Sequence, residues 1–211
     1  MKQLFLLLLN MHYSYLAVGD SYTIGEQVLL SESFPYQAVQ LLRSKNIEIA
    51  APEIIAKTGW TTNELHAAIL QTIFLEKYDF VSLLIGVNNQ YRERSTDNYE
   101  KEFEQLLKKA IELACNKRHN VFVLSIPDWG VTPFAKDRDT KKIEDQIIAY
   151  NSVCKKITLR YNCTFLDITT AQKNNSIKAE MIAADGLHPS ALEYNKWAKM
   201  LSDAILEGCL I

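Results

Sequence analysis

The sequence has 211 residues, 48% of them hydrophobic and 23% charged, with a formal net charge of −2. That is the composition of a soluble globular chain, long enough to bury a real core in one domain. Its charged stretches, such as RERSTDNYEKEFEQ and KDRDTKKIED, mix signs as solvated helix faces do, which argues against a basic stripe for nucleic acid.

The N-terminus, MKQLFLLLLNMHYSYLAVGDS, opens on Lys2 and an apolar run from Leu4 to Leu9. The run resembles the start of a signal peptide, but no small-x-small cleavage site follows it. It is also far too short to span a bilayer. Met11 is a second candidate start. The expectation is one domain over 1–211, with 1–12 as an N-terminal extension. A cytoplasmic location is expected, with export left open by the apolar stretch.

Strands are predicted over 15–18, 47–55, 80–85, 121–126 and 164–166. Helices are predicted near 34–45, 62–76, 98–117, 139–161 and 191–207. In YEKEFEQLLKKAIELA the apolar positions recur every three to four residues, as on an amphipathic helix. Thr61-x-x-Glu64 and Ser190-x-x-Glu193 read as capping boxes that start two of the helices. Strands alternating with helices imply right-handed crossovers and a parallel sheet covered on both faces. The expected architecture is a three-layer α/β/α sandwich with a five-stranded parallel sheet in the order 2-1-3-4-5. In such a sheet the site lies at the carboxyl ends of the first and third strands.

That geometry directs attention to GDS after the first strand, KTGWTT after the second, GVNNQYR after the third and SIPDWGVTPF after the fourth. DGLHPS precedes the last helix. A serine at a strand tip needs a base to become a nucleophile. Of the four histidines, His12 precedes the first strand, His66 lies within a helix and His119 lies at the amino edge of the sheet. His188 remains, with Asp185 three residues before it. An Asp-x-x-His turn lets the carboxylate hold Nδ1 while Nε2 faces the serine. Elimination therefore points to Ser21, His188 and Asp185. Donors for an oxyanion are available from the Ser21 N–H, the Gly59 N–H and the Asn88 side-chain amide.

These stretches resemble the blocks of the SGNH, or GDSL-like, hydrolases. The first block appears as Gly19-Asp20-Ser21-Tyr22-Thr23-Ile24-Gly25. The second-block glycine corresponds to Gly59, and the third block to Gly86-Val87-Asn88-Asn89. The last appears as Asp185-Gly186-Leu187-His188-Pro189. The resemblance implies a flavodoxin-like fold with Ser21 as nucleophile, His188 as base and Asp185 as its orienting partner. Ser21, Gly59 and Asn88 would form the oxyanion hole. Asn89 departs from the family's frequent Asp, a position expected to support the loop.

The expected activity is hydrolysis of a small-molecule carboxylic ester through an acyl-serine. The alternative is a flavodoxin-like binding module without catalysis. Tyr22, Trp60, Tyr91, Trp129 and Phe134 are candidates to line an acyl pocket, and Arg92 to meet an anionic group. No cofactor is expected. Neither a G-x-G-x-x-G nor a Walker pattern occurs, and no zinc-ligand spacing is present. The four cysteines, Cys115, Cys154, Cys163 and Cys209, read as buried free thiols.

Overall fold

The computed structural model describes residues 12–175 and 178–209. The apolar stretch from Leu4 to Leu9, the alternative start at Met11 and the Cys209 side chain lie outside the described residues.

Five parallel strands form one sheet in the order β2-β1-β3-β4-β5. They are β1 (Tyr15–Gly19), β2 (Glu53–Ala56), β3 (Phe80–Leu84), β4 (Val121–Leu124) and β5 (Thr164–Leu166). β1, β3 and β4 are buried at every position. That is why they read as short continuous apolar runs rather than alternating ones. The edge strands β2 and β5 are half-exposed along most of their length. Register is continuous across the centre: Val18 pairs with Ile55 on one side and Leu83 on the other, and Leu83 pairs with Val123.

Helices α1 (Ser21–Ile24), α2 (Phe34–Ser44), α3 (Thr62–Gln71), α4 (Val87–Tyr91), α5 (Thr96–Leu113), α6 (Thr140–Arg160), α7 (Ile168–Asn175) and α8 (Ala191–Cys209) complete the described fold. α2 starts with Pro35 in its first turn, where a missing N–H costs nothing. It buries Phe34, Ala38, Val39 and Leu42 and packs against α8. In α5, Tyr99, Phe103, Leu106, Leu107 and Ala110 form the buried stripe. The helix stops where Cys115 and Asn116 take left-handed backbone angles, φ 52° and 61°; this turn leaves Cys115 exposed where a buried thiol was expected, whereas Cys154 and Cys163 are buried.

Some boundaries differ from the sequence expectation. The strand expected over 47–55 pairs regularly only from Glu53. Upstream there is a single bridge between Tyr13 and Ile49, and Pro52, lacking an N–H, separates the two parts. The helix expected to reach 76 ends at Gln71, with Thr72 already extended. The box at Thr61 forms as expected, with the Thr61 N–H donating to Glu64 Oε2 at 2.8 Å. The one at Ser190 does not. Its N–H donates to the Met181 carbonyl and its hydroxyl to the Glu180 carbonyl. Helix α7 was not expected. It starts at Asp167, whose carboxylate takes both the Thr170 N–H and its hydroxyl.

Because all strands run the same way, the segments following β1 to β4 emerge at one edge of the sheet. β1 lies between β2 and β3, so the connections that follow β1 and β3 run in opposite directions across the sheet and open a crevice between them.

Candidate active site

Gly19 ends β1 where no side chain fits. A Cβ there would lie 2.3 Å from the Leu84 carbonyl oxygen and 2.1 Å from Thr23 Oγ1. The close approach lets the chain turn at once into α1. Asp20 caps that turn, its Oδ1 accepting the Tyr22 N–H at 3.1 Å. Ser21 is therefore the first residue of a helical turn, and its N–H has no acceptor within the helix. The residue is 4% exposed.

His188 reaches this serine from the loop before α8. Its Nε2 is 3.0 Å from Ser21 Oγ, and its Nδ1 is 2.6 Å from Asp185 Oδ2. The other carboxylate oxygen, Oδ1, accepts the backbone N–H groups of Leu187 and His188, each at 3.0 Å. Partial burial pushes the Asp185 carboxyl up. The hydrogen bonds from His188 and from the two backbone N–H groups outweigh it and hold the group below the usual carboxylate range. Asp185 thus sits ionised opposite Nδ1, which places the imidazole's proton there and leaves Nε2 free to accept. The Tyr22 ring packs against the imidazole, with centroids 5.1 Å apart.

The turn after β2 brings Gly59 to the same crevice with φ +83°, in the left-handed region. The turn is closed by the Trp60 N–H to the Lys57 carbonyl and clamped by Arg92, whose Nη2 donates to the Gly59 carbonyl at 2.7 Å. Arg92 also pairs with Glu64 at 3.2 Å. The guanidinium therefore buttresses a loop and does not line the pocket that contains Ser21. The Trp60 ring is not in that lining either. It packs partly buried against the core, and its carbonyl accepts from Asn88 Nδ2 at 3.0 Å.

Asn88 lies on α4, just after β3. Its amide nitrogen is also 3.5 Å from Asp20 Oδ2, a contact at the long limit for a hydrogen bond. Asn89 turns the opposite way and is fully buried. It accepts the Thr62 N–H at 3.0 Å and donates to the Thr62 hydroxyl at 2.6 Å, fastening the start of α3 to α4. An amide supplies both the donor and the acceptor that this position uses.

Ser21, Gly59, Asn88 and His188 face a pocket of about 210 Å³. Tyr22, Tyr91, Trp129 and Phe134 line it, together with Thr58, Val87 and Leu187, which the sequence did not single out. Trp129 stacks edge-on against Tyr91 at 5.3 Å and Phe134 at 6.0 Å. Its indole N–H is fixed by Gln90 Oε1 at 2.7 Å. The Phe134 N–H donates to the Gly186 carbonyl, which couples this aromatic wall to the loop carrying Asp185 and His188. Asp20 lies beneath the site, completely buried. Desolvation pushes its carboxyl up to about 7, against the opposing pull of the backbone N–H groups of Tyr22 and Asp20 and of the Asn88 amide. Among the described residues no group of three His, Cys, Asp or Glu side chains is placed to hold a metal ion. No helix among them is long and apolar enough to cross a membrane.

The profile of the GDSL-like Lipase/Acylhydrolase family matches residues 17–196. The secreted effector protein SseJ of Salmonella typhimurium is 33% identical over 78 residues, 36% of this chain. The match spans 19% of that protein, about a fifth of its length. Among solved structures, the lipase/acylhydrolase from Enterococcus faecalis superposes with a TM-score of 0.70 at 20% identity, covering 91% of this chain and 95% of that one. The acetylxylan esterase Axe2 from Geobacillus stearothermophilus gives 0.69 at 21% identity and 93% of each chain. The esterase EstA from Pseudoalteromonas sp. gives 0.67 at 14% identity, covering 92% and 97%. At these identities the structural matches speak for the fold.

Proposed function

We propose how this chain, which belongs to the GDSL-like lipase/acylhydrolase family and is by that membership a serine ester hydrolase, carries out its reaction: Ser21, His188 and Asp185 act as a catalytic triad. The observation that supports this most strongly is the continuous chain of contacts, Asp185 Oδ2 to Nδ1 at 2.6 Å and Nε2 to Ser21 Oγ at 3.0 Å. Ser21 Oγ attacks the ester carbonyl carbon while its proton passes to His188 Nε2. The imidazolium that results is stabilised by the ionised Asp185. The electron pair of the carbonyl bond moves onto oxygen, where the Ser21 and Gly59 N–H groups and the Asn88 amide would stabilise it. Collapse expels the alcohol, protonated from His188, and leaves an acyl-serine. Water then attacks, losing a proton to His188, and as the second intermediate collapses His188 returns that proton to Ser21 Oγ and the carboxylic acid departs.

The substrate is a small-molecule carboxylic ester, and the pocket supports a short acyl group. At about 210 Å³ it falls below the range of roughly 300–1,000 Å³ typical of sites that enclose a whole ligand. Steady-state hydrolysis of 4-nitrophenyl acetate by wild type and Ser21→Ala tests the assignment. The expected result is loss of turnover in a variant with unchanged circular dichroism. Retention of most of the activity would remove Ser21 from the nucleophile's role.

A further inference from the structure

A second and larger concavity adjoins the first across the Tyr91–Trp129 pair, which lines both. It measures about 540 Å³ and runs along the start of α6, over Ile143. Its chemistry is different. Where the inner pocket presents Val87, Leu187 and Phe134, this groove presents Gln146, Arg138, Lys142, Glu93 and Asp139. Tyr91 stands between them with 47% of its surface exposed, offering an aromatic face to anything that leaves the inner pocket.

The charges in the groove are mostly spoken for. Lys142 pairs with Glu93 at 2.8 Å, Arg92 with Glu64, and Asp139 Oδ1 accepts the Lys142 N–H. Gln146 Oε1 accepts from Gln90 at 2.8 Å, which leaves the Gln146 amide N–H groups to donate. Arg138 has no hydrogen-bonded or ionic side-chain partner among the described residues. Burying an alkyl chain here would strip water from these groups and return nothing. Three cations, Arg92, Lys142 and Arg138, line the groove, but Arg92 and Lys142 are held by Glu64 and Glu93, so an anion would find Arg138 alone unpaired, with the Glu93 and Asp139 carboxylates beside it. A neutral, hydroxyl-rich group suits both donors and acceptors, and its C–H face suits Tyr91.

Resting on the serine-hydrolase reading above, we infer that the groove is the alcohol subsite and that the ester is a short-chain, O-acylated polyol of the saccharide class. The apolar inner pocket takes the acyl group. The sugar lies over Tyr91 and reaches Arg138 and Gln146.

The test compares three acetates on the same enzyme: ethyl acetate, a mono-O-acetylated cellotriose, and 1-acetylglycerol 3-phosphate. The acetylated trisaccharide should exceed ethyl acetate in kcat/KM by at least about tenfold, chiefly through KM, since each added hydrogen bond contributes roughly five- to tenfold. Arg138→Ala should cut that ratio about fivefold, and Gln146→Ala by a similar factor. Arg138 is solvent-exposed, so its removal does not threaten the fold, whereas Gln146 supports Gln90. The Arg138 variant is therefore the decisive one. Equal rates on all three acetates, or a ratio indifferent to Arg138→Ala, would overturn the subsite while leaving the hydrolase reading intact. A preference for the phosphate ester that depends on Arg138 would overturn the neutral polyol in favour of an anionic alcohol. Hydrolysis of none of the three while 4-nitrophenyl acetate is still turned over would overturn the subsite alone; loss of that ester as well would overturn the hydrolase reading and the subsite with it.

Discussion

Replacing Asp185 by asparagine separates a catalytic from a merely structural role for this residue. The carboxylate does two jobs with different atoms. Oδ1 accepts two backbone N–H groups that shape the loop, while Oδ2 faces His188 Nδ1 at 2.6 Å. Asparagine keeps an acceptor for the backbone, so the loop should persist. Its NH₂ then faces Nδ1 and donates to it. The imidazole must place its own proton on Nε2, 3.0 Å from Ser21 Oγ, where it can no longer accept one. Inverting the tautomer in this way costs about 10⁴ in kcat, or roughly 5.4 kcal/mol at 1.36 kcal/mol per decade. Asp185→Ala should lose the same activity and also about 1 kcal/mol of stability, because the two backbone N–H groups lose the carboxylate that caps their turn. Kinetics with 4-nitrophenyl acetate, alongside thermal melts, distinguish the two. The asparagine variant should melt near wild type and be almost inactive. If it kept more than about a tenth of wild-type kcat, the residue would be a turn cap and the triad reasoning would fail.

Asn88→Ala should lower kcat by about 10² to 10³ with little change in KM, because its amide would act on charge that exists only in the tetrahedral intermediate. Steady-state kinetics on the folded variant check this, and a lowered melting temperature with unchanged kcat would refute it. Asp20→Asn should alter the pH dependence of stability. The folded state raises this carboxyl from 3.8 to about 7 by burying it, so it binds the proton more tightly than the unfolded chain does. Its contribution is full below about pH 4 and is lost as pH rises toward 7, on the order of 4 kcal/mol across that window. Urea denaturation at pH 4.5 and 7.5 should show a flatter pH dependence in the asparagine variant; an unchanged slope would show that Asp20 does not carry the effect.

Much of this fold and site is legible in the sequence. The central strands bury both faces and so announce themselves as short apolar runs. The motif segments follow strands in a parallel sheet, which is why Ser21, Gly59 and Asn88 converge although far apart in sequence. Asp185 and His188 are three residues apart, so their contact follows from local turn geometry. What sequence hid depends on long-range partners. Arg92 read as a site for an anion, but its partners lie 28 and 33 residues away, at Glu64 and Gly59, and no spacing rule reveals them. Trp60 precedes a helix cap in a turn, where the side-chain direction does not follow strand or helix periodicity. Its carbonyl reaches Asn88, while its ring turns to the core. The cap at Ser190 failed for a similar reason: an antiparallel bridge between Ile182 and Pro189 brings two other carbonyls within reach of Ser190 first. Helix α7 carries a weak apolar pattern, and only its Asp167–Thr170 cap marked the start.

The central claim is that Ser21 is an activated nucleophile, and covalent capture tests it most directly. The folded protein is treated with a fluorophosphonate, digested, and mapped by mass spectrometry, in parallel with His188→Ala. One phosphonate adduct is expected, on the peptide containing Ser21, slowed by a competing ester and almost abolished in the His188 variant. An unlabelled protein, an adduct on another residue, or equal labelling without His188 would contradict the account.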